Sequence, residues 1–170
     1  MQYAKIYKRI IGGILDYLLM FGVFWAFGFF YALFLAPDYS GAEIFIVMGI
    51  LIYPHAMFVQ LLSEPLAIKF GYYMLYVSLF FIEVLYYTLM TVLPTRGSLG
   101  HQAINASICY WHGAKQRPSI FTIFLRSCIK ALSRYLFLLP FLTIFFTKQK
   151  QTLHDIVAGT VVIDKPPIDE

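Results

Sequence analysis

The fold of this chain is decided by residues 7–36, which read YKRIIGGILDYLLMFGVFWAFGFFYALFLA. Their apolar part, residues 10–35, exceeds the roughly 20 helical residues that a bilayer core of about 30 Å requires. One carboxylate, Asp16, lies inside this stretch. Arg9 precedes it by almost two helical turns, so the two side chains share a face of the helix. A charge at that depth normally faces protein, water or a partner, and we expect the remaining chain to supply a polar surface for it.

The composition indicates a membrane protein. Of the 170 residues, 60% are hydrophobic and 13% are charged, whereas soluble domains have about 25% charged residues. The first apolar stretch is longer than the roughly 7–15 apolar residues of a cleavable signal, so we expect it to remain as an anchor. The formal net charge of +4 is carried beside apolar segments, which indicates membrane orientation and argues against a nucleic-acid partner.

Two further segments are apolar enough to enter the membrane. Residues 70–93 form a second predicted span, with Glu83 near its middle. Residues 44–62 carry Pro54 and His55, so a full span, a re-entrant helix and an interfacial helix all stay open for them. Basic residues before the first span predict a cytoplasmic N-terminus. If both segments crossed the membrane, the basic loop that follows 70–93 would lie outside, against the positive-inside rule. We therefore predict that 44–62 does not cross.

Residues 119–147 are predicted to form a helix at the membrane surface, followed by a short segment that dips into the membrane without crossing it. Arg126, Lys130 and Arg134 recur every four residues and so form one stripe of a helix. Such a stripe is typical of a helix in the headgroup layer, or one whose cations snorkel to it, with anionic lipid headgroups as partners. The apolar run that follows is broken by Pro140 and is short for an independent span.

Two short β-prone runs are predicted to pair in a small cytoplasmic ribbon. They are residues 104–110 and 160–164, and neither would be stable alone in water. Thr152 and Asp155 have the spacing of a capping box, which predicts a short helix just before the second run. Pairing the two runs would carry Asp155 back toward Arg9. Residues 166–170 are predicted to form a disordered tail.

Three motifs together resemble the RDD family of small membrane proteins. They are Arg9 with Asp16, the turn TRGSLG at 95–100, and KQKQTLHDIVAGTVVI at 148–163. The resemblance covers residues 9–163 and implies one all-α membrane domain over 1–165, a small helical bundle in a bacterial inner membrane. It places the family's arginine on Arg9 and its two aspartates on Asp16 and Asp155. Where the family has Thr-Leu-Gly-Lys, this chain has Ser98-Leu99-Gly100-His101.

Two classes of function stay open. A transport component for cations, protons or small solutes would use Asp16, Glu83 and His55 in a polar cavity, and would act as an oligomer because one chain has few spans. A transport role, including cation/proton exchange, is what the resemblance suggests for some family members. The alternative is a membrane scaffold or assembly factor that docks partner membrane proteins. For Arg9, Asp16 and Asp155 we favour a structural network over a proton relay, since packing networks also perturb titratable groups.

No enzymatic motif is present in the sequence. It contains no serine triad, P-loop, GxGxxG or HExxH pattern, so we expect no catalytic residues and no cofactor. Cys109 and His112 have one metal-like spacing, but a structural site needs about four ligands, usually in paired spacings. We therefore expect no metal site either.

Overall fold

A computed structural model describes residues 3–34, 66–111, 116–135 and 139–164, which form parts of two compact units. Unit 1 comprises Met1–Asp16 with Ser78–Glu170, and unit 2 comprises Tyr17–Val77. The predictions for 44–62, including His55, and for the tail 166–170 lie outside the described residues. All the contacts discussed below lie within unit 1.

Two long apolar helices pass through both units. Helix α1 is Ile6–Phe34 and helix α2 is Leu66–Val92. The predicted membrane span begins at residue 10, and the helix itself extends about one turn further toward the N-terminus. In that turn Lys8 and Arg9 have carboxylate partners, Asp164 and Asp155. Helix α2 ends just before Pro94, which cannot continue a helix.

One stretch within the described residues, Ile6–Ala26, is long and apolar enough to cross a membrane. Only 28% of its most apolar window is buried. The core helix of a soluble protein would be mostly buried, whereas α1 exposes large apolar side chains such as Ile10, Ile14 and Leu18. Residues Val77–Val92 of α2 are apolar as well.

The rest of unit 1 consists of short elements around a two-stranded sheet. In chain order they are α3 (Leu99–Ala103), β1 (Ala106–Tyr110), α4 (Ile120–Tyr135), a 3₁₀ helix (Leu139–Phe145), α5 (Leu153–Val157) and β2 (Thr160–Asp164). Strands β1 and β2 are antiparallel, with Ile108 opposite Val162. These are the two runs that the sequence analysis pairs. Their side chains are buried almost continuously because both faces of the ribbon are covered.

The start of α1 is attached to this sheet. The N–H of Ala4 donates to the carbonyl of Val162 at 3.1 Å, and Tyr3 forms a bridge with Ile163. On the other strand, the N–H of Ile108 donates to the carbonyl of Arg96, in the turn after α2, at 2.8 Å. The beginning of α1 and the turn after α2 therefore meet at the sheet. That this end of the unit faces the cytoplasm stays a prediction.

The prediction of a headgroup-facing stripe on α4 is wrong for Arg126 and Lys130, whereas the side chain of Arg134 lies outside the described residues. The side chains of Arg126 and Lys130 are 2% and 6% exposed, and each contacts a buried carboxylate. The four-residue spacing does place them on one face of the helix, but that face points into the protein. These two cations are therefore held by aspartates and not by lipid headgroups.

Candidate functional site: a buried charge cluster

Five charged side chains are buried together in unit 1. Three are cations and two are carboxylates, supplied by α1, α4 and α5; they are Arg9, Asp16, Arg126, Lys130 and Asp155, hereafter the charge cluster. Charges are almost never fully buried unless they are paired. The cluster meets that requirement by dividing into two groups, one around each aspartate.

The first group surrounds Asp155, which is completely buried. Its Oδ2 accepts a hydrogen bond from Nη2 of Arg9, and its Oδ1 accepts one from Nε of Arg126 at 2.9 Å. Nη1 of Arg9 also donates to the carbonyl of Lys150. Burial alone would raise the pKa of the Asp155 carboxyl, but the two guanidinium groups outweigh it and hold the pKa well below 3.8. Asp155 is therefore a permanent anion that joins α1 to α4.

Asp155 also caps its own helix. Its Oδ2 accepts a hydrogen bond from the hydroxyl of Thr152 at 2.8 Å and a longer one from the Thr152 N–H at 3.3 Å. The latter is the reciprocal bond that the capping-box spacing predicts. The Asp155 carboxylate thus caps the start of α5 and pairs with both arginines. It has the local role that the capping-box spacing predicts and a long-range role in the charge cluster.

The second group surrounds Asp16, which is 1% exposed. Its Oδ2 lies 2.9 Å from Nζ of Lys130 and accepts a hydrogen bond from the Ser98 hydroxyl at 2.5 Å. Its Oδ1 accepts the N–H of Gly100 at 2.8 Å and a weaker bond from the Tyr86 hydroxyl at 3.4 Å. Every lone-pair direction of this carboxylate is thus occupied by a donor.

His101 extends the group around Asp16. Its Nδ1 lies 2.6 Å from Oγ of Ser98 and 3.7 Å from Oδ2 of Asp16. Since the single hydroxyl proton of Ser98 is donated to Asp16, the ring proton of His101 must be on Nδ1 and point at Ser98. Burial lowers the pKa of His101 to about 4, against the opposing effect of Asp16. At neutral pH the ring is therefore uncharged.

Close backbone approach makes the Asp16 group possible. A Cβ atom built on Gly100 would overlap the carbonyl oxygen of Gly12 and would lie 2.8 Å from Oδ1 of Asp16. A Cβ on Gly12 would in turn come within 3.1 Å of the carbonyl oxygen of Gly100. Glycine at position 100 lets the start of α3 reach the carboxylate in α1, whereas a side chain at position 12 would require its neighbours to shift by a few tenths of an ångström.

Two residues of α2 complete the surroundings of Lys130. Its Nζ lies 3.7 Å from the centre of the Tyr87 ring, a cation–π contact. Glu83 is 3% exposed, and its carboxylate acts electrostatically on Lys130. With all groups ionised the charge cluster carries one net positive charge, and Glu83 neutralises it. The charge cluster and Glu83 together therefore carry no net charge when all six groups are ionised.

The structure distributes the residues predicted from the sequence between these two groups. Arg9 lies with Asp155, whereas Asp16 lies with Lys130, so the two charges at the start of α1 have different partners. Glu83 is in the surroundings of Lys130, and His55 lies outside the described residues. The roles of Arg126 and Lys130 as buried partners, and the place of His101, were not predicted from the sequence. The four-residue spacing of Arg126 and Lys130 in α4 was the sequence signal from which their shared role could have been predicted.

Chemically, the Asp16 group resembles an occupied cation site. The Asp16 carboxylate pairs with the ammonium of Lys130 and also accepts the Ser98 hydroxyl, and carboxylate and hydroxyl oxygens are ligands that hard cations prefer. Within the described ranges, no group of three or more His, Cys, Asp or Glu residues is placed to bind a metal ion.

Comparison with known protein families identifies a match to the RDD family. The model of the RDD family matches residues 3–159, a range that includes all five residues of the charge cluster and confirms the resemblance drawn from the motifs. No curated protein and no solved structure matches the chain.

Proposed function

Because the chain belongs to the RDD family, we propose that it is a transport component that exchanges a small cation for a proton at the ion pair of Asp16 and Lys130, acting as an oligomer. The family and the apolar helix α1 make it a membrane protein. The observation that carries the proposal is the position of the Lys130 ammonium. It lies 2.9 Å from Oδ2 of Asp16, where a substrate cation would bind.

The exchange would follow from competition for one carboxylate. When Lys130 loses its proton, the neutral amine no longer holds Asp16, and a cation can bind between Asp16 and the Ser98 hydroxyl. When the amine regains a proton, the ammonium displaces the cation. One positive charge faces Asp16 in both states, so the group never leaves a buried carboxylate unpaired, which would be costly.

Proteoliposomes that contain only this protein test the proposal. A sodium or potassium gradient should drive proton movement that a trapped pH-sensitive dye reports. The double variant Asp16→Asn/Lys130→Met removes the pair without leaving a lone charge, so it should fold and show no exchange. As a matched control, Lys8→Met/Asp164→Asn removes the partly exposed pair at 2.9 Å and should keep the wild-type rate.

A second candidate is a scaffold that does not transport. The observation that favours it is the saturation of both aspartates, since each oxygen already has donors within the protein. In that case the wild type would show no cation-driven proton movement above empty liposomes. That result would overturn the transport proposal and leave the charge cluster with a structural role alone.

A further inference from the structure

Helix α4 has its polar face inside and its apolar face outside. Arg126, Ser127 and Lys130 point inward and are buried. On the opposite face Phe121 is 74% exposed, and Phe124 and Leu132 are exposed as well. A helix on the surface of a soluble protein has the reverse arrangement, with its apolar stripe against the core.

The 3₁₀ helix, which contacts α4, also exposes large apolar side chains. Its exposed large side chains include Leu142 and Phe145, and Phe146 directly after it is 86% exposed. Together these residues and those of α4 form the outer apolar face: Phe121, Phe124, Leu132, Leu142, Phe145 and Phe146. Soluble monomers rarely leave large contiguous apolar patches in water. In the same unit α1 and α2 also present outward apolar side chains, among them Ile14 and Phe81.

The segment formed by α4 and the 3₁₀ helix is connected to the sheet at both ends. Strand β1 precedes it, and strand β2 follows it after α5. The two strands pair with each other. Helix α4 has 16 residues, or about 24 Å at 1.5 Å per residue, which is less than the roughly 30 Å of a bilayer core. Exposed cations flank the apolar part on both sides, Arg117 before it and Lys148 after it. Cations in such positions suit the headgroup layer.

From these observations we propose that α4 and the 3₁₀ helix dip into the bilayer from the side of the sheet and return to that side. Lipid acyl chains cover the outer apolar face. The buried cations of α4 are held by Asp16 and Asp155, and Arg117 and Lys148 contact the headgroups instead. This proposal does not depend on transport, because it concerns where the segment lies and not what passes through the protein.

Tryptophan fluorescence in vesicles tests this placement. In a chain with Trp25→Phe and Trp111→Phe, single tryptophans are introduced as Phe124→Trp or Phe145→Trp, with Lys148→Trp as the matched control two positions after the outer apolar face. Vesicles carry bromine on the acyl chains, and iodide is added in water. We expect acyl bromine to quench positions 124 and 145 several-fold more strongly than position 148, and iodide to show the reverse order.

Three results would overturn the proposal. Strong iodide quenching at 124 and 145 would place the outer apolar face in water. Weak quenching by both reagents, with bromine quenching that rises as the protein is diluted in lipid, would show that a second copy of the chain covers it. Cysteines at Gln116 and Lys148, in a chain lacking Cys109 and Cys128, should react with an impermeant reagent from the same side. Labelling from opposite sides would mean that the segment crosses the membrane.

Discussion

Replacing Asp155 by asparagine is expected to cause the largest loss of folded protein among single substitutions in the charge cluster. The change keeps the shape of the side chain but leaves Arg9 and Arg126 buried without a carboxylate. Breaking one buried ion pair typically costs about 3–5 kcal/mol, and here one substitution affects two cations. We expect little monodisperse protein in mild detergent and a strongly lowered melting temperature for what remains.

Asp164→Asn is the matched control for this experiment. Asp164 also pairs with a cation, Lys8, at 2.9 Å, but both side chains are partly exposed. Exposed pairs contribute about 0–1 kcal/mol, so this variant should melt close to the wild type. Equal stability of Asp155→Asn and Asp164→Asn would show that the two arginines find other partners and that the Asp155 group does not hold α1 to α4.

The second large effect is expected for Gly100→Ala. The added methyl group would overlap the Gly12 carbonyl and crowd the Asp16 carboxylate, so α3 would have to move away from α1. Overpacking costs about 1–3 kcal/mol, and the hydrogen bond from the Gly100 N–H to Asp16 at 2.8 Å would be lost as well. Thermal unfolding in detergent should report a clear decrease in melting temperature.

Gly13→Ala is the matched control, at the residue next to the contact between Gly12 and Gly100, and we expect it to have the opposite effect. Nothing lies within 4 Å of a Cβ built on Gly13, and alanine is favoured over glycine inside a helix by about 1 kcal/mol. This variant should be as stable as the wild type or slightly more stable. If Gly13→Ala and Gly100→Ala had the same effect, the close approach of α3 to α1 would not exist in the folded protein.

Local patterns in the sequence were sufficient to predict much of the fold. The apolar run after Arg9 predicts α1, and the Thr152/Asp155 spacing predicts the start of α5. The two β-prone runs predict a pairing that the structure contains, with Ile108 opposite Val162. Each of these depends on hydrogen bonding or burial that neighbouring residues decide, and the pairing follows because two isolated short strands have few alternatives.

The partners inside the charge cluster could not be predicted in the same way. Lys130 and Asp16 are separated by 114 positions, and Ser98 and Asp16 by 82, so no local pattern links them. The repeat of Arg126 and Lys130 identifies a charged face but not the direction in which it points. In water a charged face points outward, whereas in a protein whose outer surface is apolar the same face can be the inner one.

The glycine contact and His101 were missed for a related reason. Gly100 and Gly12 are recognisable as small residues, but their approach is a property of how α3 lies against α1. By the motif resemblance, His101 stands where the family has lysine, and here a neutral ring lies beside Ser98. The cation of Lys130, from another helix, balances Asp16 instead.

The claim that buried ion pairs join distant segments is tested most directly by a double-mutant cycle on Asp16 and Lys130. Unfolding free energies are measured in one detergent for the wild type, Asp16→Asn, Lys130→Met and the double variant. We expect each single variant to be strongly destabilised and the double variant to be no less stable than the worse of them, with a coupling energy of up to about 3 kcal/mol. Losses that simply add, within about 0.5 kcal/mol, would contradict the ion pair and with it the charge cluster.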